Sequence, residues 1–281
     1  MAELIMSAFA DEYCDSFEGQ VKAMKDFGID YIEVRFVDKK NISTLTDEEV
    51  EAAKAILDQH GVKISSIGSP LGKINLADDF DAHLALTKRV FDIAKKLDTG
   101  LVRIFSFYLP EGKSREECRP AVIERLEKMI SLAEEYGITL CHENEAEIYG
   151  ESPEYCLDLL KHFGGRLKAV FDMGNFVLGG YKPYPDAYEK LLPYIEYFHI
   201  KDSLSAGAIV PPGCGEAKIR EILASHAKYS DSDFFISVEP HLQLFSGLNA
   251  LVGRSFDNPY KYNDAKEAFT DAVRKLKELL P

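Results

Sequence analysis

The sequence predicts an α/β fold: a (β/α)8 TIM barrel built as a single domain over residues 1–281. Three observations lead there. Eight short apolar runs of strand type alternate with amphipathic helical stretches from one end of the chain to the other. No Ser/Gly-rich linker or low-complexity block divides the 281 residues. Eight strand-helix units of about 35 residues each suit the ~30 or more residues of a βαβ step and the ~250 residues typical of the barrel. A doubly wound open sheet is the alternative, but it usually carries a phosphate-binding glycine fingerprint after its first strand, and "SAFADEYCDSFEG" has none.

The elements follow in order. Leu4 to Ala8 is the first strand; its surroundings, "MAELIMSAFADEY", have acidic flanks and no basic start, unlike a signal peptide. The first helix places Phe17, Val21, Met24 and Phe27 at spacings of three and four, with Gly28 after it as a stop. Strand two is Tyr31 to Phe36, and Thr46-Asp-Glu-Glu looks like the start of a helix that Gly61 ends. Strand three is Val62 to Ile67, followed by a helix with Leu84, Phe91, Ala94 and Leu97 on one face. Strand four is Leu101 to Phe107, and the next helix runs from Ser114-Arg-Glu-Glu to Gly137. Strands five to eight are Ile138 to Glu143, Leu167 to Asp172, Ile195 to Lys201 and Phe234 to Glu239, and Phe269, Ala272, Leu276 and Leu279 mark the closing helix.

Charge and composition exclude several functions. A net charge of −14 with no visible basic patch argues against nucleic acid as a partner. No apolar run reaches the ~18 residues that span a bilayer, so no membrane partner is expected. The five cysteines, Cys14, Cys118, Cys141, Cys156 and Cys214, stand at no metal or redox spacing, which suits inert thiols in a reducing cytosol. The expected setting is cytoplasmic, with homo-oligomer formation open.

In a barrel the chemistry sits at the carboxyl ends of the strands. Strand five ends at Glu143, strand six at Asp172, strand seven near His199 and strand eight at Glu239. Alternation puts Glu143 with Cys141 and Thr139 on one face and His142 with Leu140 and Ile138 on the other. The same test groups Asp172 with Val170, His199 with Tyr197 and Lys201, and Glu239 with Ser237, so all four candidates point to one interior mouth. His142 faces the helices and is read as structural. Three carboxylates and an imidazole converging would repel unless a cation neutralised them, and a divalent metal is the natural resolution. An oxygen-rich set with one histidine favours Mn²⁺, Mg²⁺ or Co²⁺ over Zn²⁺. Taken singly, an acid at a strand end is more often just solvated and a buried histidine more often a core residue; the four in phase carry the metal reading.

With "HEN", "FDMGN", "HIKD" and "SVEPHL" in place, the sequence resembles the xylose-isomerase-like TIM-barrel superfamily of sugar and sugar-phosphate isomerases and epimerases, over nearly its whole length. The resemblance implies that Glu143, Asp172, His199 and Glu239 hold one divalent ion, often manganese. It further implies that Glu143 and Glu239 move protons on opposite faces of an enediolate. The sequence departs from that pattern at Asn175, where many members have a second histidine, and in lacking a clear arginine after His199. Those departures leave the exact reaction open, though not the fold.

Other residues are candidates for the carbohydrate substrate. Glu145 shares the face of Glu143 if its strand continues, and a solvated loop glutamate is the alternative. Lys201 suits an enolate or a phosphate, with Asp202 orienting it or His199, against a rim salt bridge. His241 shares the face of Glu239. Arg35 in "EVR", Ser69 and Lys73 in "SIGSPLGK" and Arg103 in "VRIFSF" lie on or after strands two to four, where Arg35 and Arg103 serve equally as interior ion-pair partners. The glycines of "SLSAGAIVPPGCGE" offer backbone N–H groups to an anion. The long segment after strand eight, with Arg254 and Phe256, reads as a lid or subunit contact. The reaction expected is isomerisation or epimerisation of a small sugar or sugar phosphate. The rivals are an inosose-type dehydratase, an endonuclease IV-like phosphodiesterase, which would need more histidines and a basic face, and a binding barrel without metal.

Overall fold

The structure, a computed structural model, describes residues 2–242 and 260–280. Its frame is an eight-stranded sheet of β1 (Leu4–Ala8), β2 (Tyr31–Val34), β3 (Lys63–Gly68), β4 (Leu101–Ile104), β5 (Thr139–Glu143), β6 (Leu167–Asp172), β7 (Ile195–Ile200) and β8 (Phe234–Val238). Successive strands from β2 to β8 pair in parallel, and β8 pairs with β1. β1 and β2 then lie side by side, so the barrel is nearly closed. Around it run α1 (Phe17–Asp26), α2 (Asp47–His60), α3 (Phe80–Lys96), α4 (Arg115–Tyr136), α5 (Pro153–Phe163), α6 (Met173–Leu178), α7 (Tyr188–Leu191), α8 (Ile219–Tyr229) and α9 (Ala265–Leu279). The expected α/β barrel is the one found.

Local chemistry sets the helix limits. Thr46 and Ser114 form reciprocal capping boxes with Glu49 and Glu117, and Gly61 and Gly137 close α2 and α4 in the left-handed conformation, at φ 65° and 63°. The main core lies between sheet and helices, where Ile32, Ile64, Val102, Leu140, Phe171, Phe198 and Ile236 point outward from their strands. The barrel interior is different. Its lower part holds Cys141, Val170 and Tyr197, and above them polar side chains replace the usual aliphatic layers.

Two strands are shorter than expected because neighbouring loops capture their ends. Phe105 and Phe107 donate their N–H groups to Leu71 and Gly72 in the loop after β3, so β4 stops at Ile104. After β2, Phe36–Val37 turns away to form a small ribbon with Lys40–Asn41. The segment with Arg254 and Phe256, expected as a lid or contact, lies outside the described residues.

Candidate active site

Each site residue is placed by the end of its strand. Asp172 closes β6 and is the N-cap of α6: its Oδ1 accepts the N–H of Asn175 at 2.7 Å, which leaves Oδ2 facing the barrel axis and Lys201. Asn144 clamps the same turn, donating to the Asp172 carbonyl at 2.9 Å and accepting its N–H at 3.0 Å. Gly174 is required here, since a Cβ would lie 2.7 Å from Cγ of Lys201.

The structure brings Glu143, Asp172, His199 and Glu239 together at the mouth, all buried, with one ligand-type atom from each within 4.8 Å of the others. Nδ1 of His199 lies 3.3 Å from Oε1 of Glu143 and 3.3 Å from Oε2 of Glu239. Neither that nitrogen nor Oε2 of Glu239 makes a hydrogen bond, although both are fully buried. Desolvated atoms of this kind normally have a partner. Three carboxylate oxygens and one imidazole nitrogen, two of those atoms unsatisfied and aimed at a common centre, fit a divalent cation.

Fixed positive charges crowd the same carboxylates. Arg103 donates to Glu143 Oε2 at 2.9 Å, and Arg35 donates to Glu239 Oε1 at 2.9 Å, to Asp11 Oδ2 at 3.0 Å and to Glu12 Oε1 at 3.3 Å. Both guanidinium groups also lie against the ring of Phe9, at 4.4 Å for Arg35 and 5.4 Å for Arg103. Lys201 Nζ donates to Asp172 at 2.9 Å and to Asn175 at 3.1 Å, and lies 3.3 Å from Glu239. Burial works against charge on Lys201, yet Asp172, Glu239 and Glu143 hold its ammonium well above the usual range.

Glu143 and Glu239 respond in kind, whereas at Asp172 burial outweighs Lys201 and raises the carboxyl to about 7. Burial favours protonation of Glu143, but His199 and Arg103 outweigh it and hold the carboxyl at about 2. Glu239 is likewise held well below the ordinary range, with Lys201, His241 and His199 overcoming burial. His199 is the counterpart: burial disfavours the imidazolium, and Glu33, Glu143 and Glu239 nonetheless raise its pKa well above the usual value. A cation entering this centre competes with that proton.

Glu12, Glu239 and His241 make a second convergent group, with His241 Nε2 at 3.3 Å from Glu12 and 3.4 Å from Glu239. Arg35 touches both of those glutamates and supplies the positive charge there.

The remaining candidates are placed as follows. Asn175 donates to Glu143 at 3.3 Å and to the Asn144 carbonyl at 2.9 Å. β5 ends at Glu143, so Glu145 does not share its face; it pairs instead with Lys73 at 3.2 Å, and Lys73 sits over the Phe105 ring. Ser69 donates to the Arg103 carbonyl at 2.5 Å, holding β3 to β4. His142 faces outward and meets Ser106 Oγ at 2.9 Å.

Two readings around strand seven are corrected. Asp202 orients neither Lys201 nor His199: its carboxylate accepts the N–H groups of Ser203, Gly213, Gly215 and Ala217 at 2.8 to 3.0 Å. Those bonds use the amides of the glycine-rich loop that were expected to cradle an anion, because the loop is folded around this internal carboxylate.

Glu33, Asp11 and Glu12 were missed. Glu33 lies on β2 two residues before Arg35, so strand alternation places it on the same face as that arginine. Asp11 and Glu12 sit on a single turn after β1, Ala10–Glu12, where no periodicity marks them.

A nearly closed α/β barrel with a buried carboxylate-imidazole centre at its carboxyl-terminal mouth defines a class, and comparison with known proteins gives the family. A family model described as "Xylose isomerase-like TIM barrel" matches residues 21–243, and the chain belongs to that family. It is similar to the 2-oxo-tetronate isomerase of Haemophilus influenzae, with 28% identity over 152 residues, covering 50% of this chain and 52% of that protein. The match thus spans about half the length of that curated relative. Among solved structures it resembles a D-allulose 3-epimerase from Methylomonas sp., with a TM-score of 0.76, 16% identity and 100% of both chains covered. It also resembles the probable 3-DHS dehydratase of Bacillus anthracis, with a TM-score of 0.74, 19% identity and 99% of both chains covered. A xylose isomerase-like TIM-barrel protein from Mycobacterium smegmatis in complex with magnesium has a TM-score of 0.70 at 17% identity, over 99% of this chain and 97% of that one. At these identities the structural likeness is one of fold.

Proposed function

We propose that the chain is a divalent-metal-dependent isomerase or epimerase of a small sugar or sugar phosphate, acting by proton transfer next to a carbonyl. The observation that carries this reading is the pair Glu143 and Glu239, buried at the ends of different strands and each 3.3 Å from Nδ1 of His199, so that two carboxylates flank one centre. Similarity to an isomerase over half the chain supports the same class.

Glu143, Asp172, His199 and Glu239 would hold the ion, with Mn²⁺ favoured and Mg²⁺, Co²⁺ or Zn²⁺ as alternatives. When bound, it would supply positive charge beside adjacent substrate oxygens. The chain's own residues do the rest. One glutamate removes the proton on the carbon next to the carbonyl and becomes neutral, and the other, after taking up a proton from a substrate hydroxyl or from water, gives it to the opposite face of the enediolate. Both are ionised and able to accept a proton. Arg103 and Arg35 fix their directions, and Lys201 and Asn175, beside Asp172 and Glu143, donate to substrate oxygens. His241 and the Lys73–Glu145 pair border the mouth as further substrate contacts. Burial of the set excludes bulk water, which strengthens each of these interactions.

The test is a panel of small ketoses, aldoses, sugar acids and their phosphates incubated with the protein and Mg²⁺ or Co²⁺ in D₂O, followed by NMR. Deuterium entering a carbon next to a carbonyl is the expected result. Deuterium uptake accompanied by loss of water would instead identify a dehydratase. No exchange with any member of the panel would overturn the reading.

A further inference from the structure

From the polar interior below the site, we infer that Glu33 is a positioning residue for the metal centre, fixing which nitrogen of His199 faces the other ligands. The inference rests on the metal reading above. Glu33 lies on β2, reaches His199 of β7 through the barrel interior, and is fully buried together with it. Its carboxylate takes three contacts: Tyr197 Oη–H donates to Oε1 at 2.9 Å, Ser237 Oγ–H donates to Oε2 at 2.5 Å, and Nε2 of His199 lies 3.1 Å from Oε2. Ser66 Oγ meets the Tyr197 hydroxyl at 3.1 Å, so the acceptor is held from several strands at once.

Both Glu33 oxygens already act as acceptors for hydroxyl donors, which assigns the Nε2 position of His199 as the N–H that faces Oε2. Nδ1 then points at Glu143 and Glu239, which is where the unsatisfied nitrogen is found. Phe9 packs edge-on against the imidazole at 5.1 Å and blocks rotation about the ring axis. A ligating histidine whose other nitrogen is held by a carboxylate gains both orientation and basicity, and loss of such a partner typically weakens metal binding by about 10- to 100-fold. A purely structural Glu33, a buried acid satisfied by two hydroxyls, would leave metal affinity and the tautomer of His199 unchanged.

Two measurements on the full chain separate these cases. Free Mn²⁺ is counted by EPR to give the dissociation constants of the wild type and of Glu33→Gln, whose fold is checked by circular dichroism. The imidazole ¹⁵N spectrum of the Zn²⁺-loaded wild type is recorded beside it, with the His199 signals assigned by their loss in His199→Asn. The expected results are an affinity loss of about 10- to 100-fold in Glu33→Gln and a wild-type His199 that carries its proton on Nε2 and the metal on Nδ1. A folded Glu33→Gln with wild-type affinity, or metal on Nε2 of His199, overturns the inference while leaving the metal site standing. A wild type that binds no Mn²⁺ sinks the metal reading itself. If Glu33→Gln fails to fold, the wild-type tautomer decides alone.

Discussion

At the scale of single residues, strand alternation found the centre and chemistry explains what it left out. Glu143, Asp172, His199 and Glu239 were legible because each ends an apolar run in phase with small or polar neighbours. Arg35 and Arg103 were visible as charges on inner faces, but sequence offers no means to decide that their guanidinium groups belong to Asp11, Glu12, Glu239 and Glu143. The proposed roles make a sharp expectation. Glu143→Gln keeps the shape of the side chain and a carbonyl for Arg103 to bond, so the fold should persist, yet it removes a proton acceptor and a charged ligand. Losing one general acid/base group costs about 10²- to 10⁴-fold. Steady-state kinetics on the substrate found in D₂O should therefore show kcat down by at least that factor, with metal retention reduced as well. A variant with full activity would remove Glu143 from the mechanism.

At the scale of elements, the misreadings share a cause, which is competition between a strand's own periodicity and a neighbouring loop's need for hydrogen-bond partners. Residues 105–107 look like strand by composition, but their amides go to the loop after β3, where Gly72 at φ 84° brings its backbone against Phe105. The loop after β7 is the second case: its glycines read as an anion cradle, and the anion turned out to be the chain's own Asp202. Replacing Asp202 by alanine would strand four N–H donors at a buried site. An unsatisfied buried group costs about 1–3 kcal/mol, and water reaching some of these amides reduces the sum, so a loss of about 3 kcal/mol is expected. Urea unfolding monitored by circular dichroism should show the midpoint fall. An unchanged midpoint would mean that the loop is held by other contacts.

At the scale of the whole molecule, the buried titratable groups set how stability changes with pH. The barrel mouth and the interior below it gather six buried carboxyl groups, Asp11, Glu12, Glu33, Glu143, Asp172 and Glu239, together with the basic side chains Arg35, Arg103, Lys201 and His199. Away from that centre, His83 on α3 and His226 on α8 are buried, and burial lowers both to about 4. His226 stacks edge-on with Phe198 at 4.8 Å and Phe234 at 4.7 Å, and Nδ1 lies 3.4 Å from the Tyr188 hydroxyl. The sign follows from linkage: below about 6.5 the unfolded chain protonates these histidines while the folded chain keeps them neutral. Their contribution is therefore intact above that pH and is lost progressively down to about 4. Glu12, raised to about 8 chiefly by burial, works in the opposite direction, favouring the folded state as pH falls from about 8 towards 4.5. Wild-type stability alone therefore mixes the two effects, and a difference between variants separates them. His226→Phe keeps the aromatic packing and removes one proton site, so urea midpoints measured in EDTA between pH 7.5 and 4.5 should fall less steeply than in the wild type. Parallel curves for the two proteins would show that His226 titrates alike in the folded and unfolded chain.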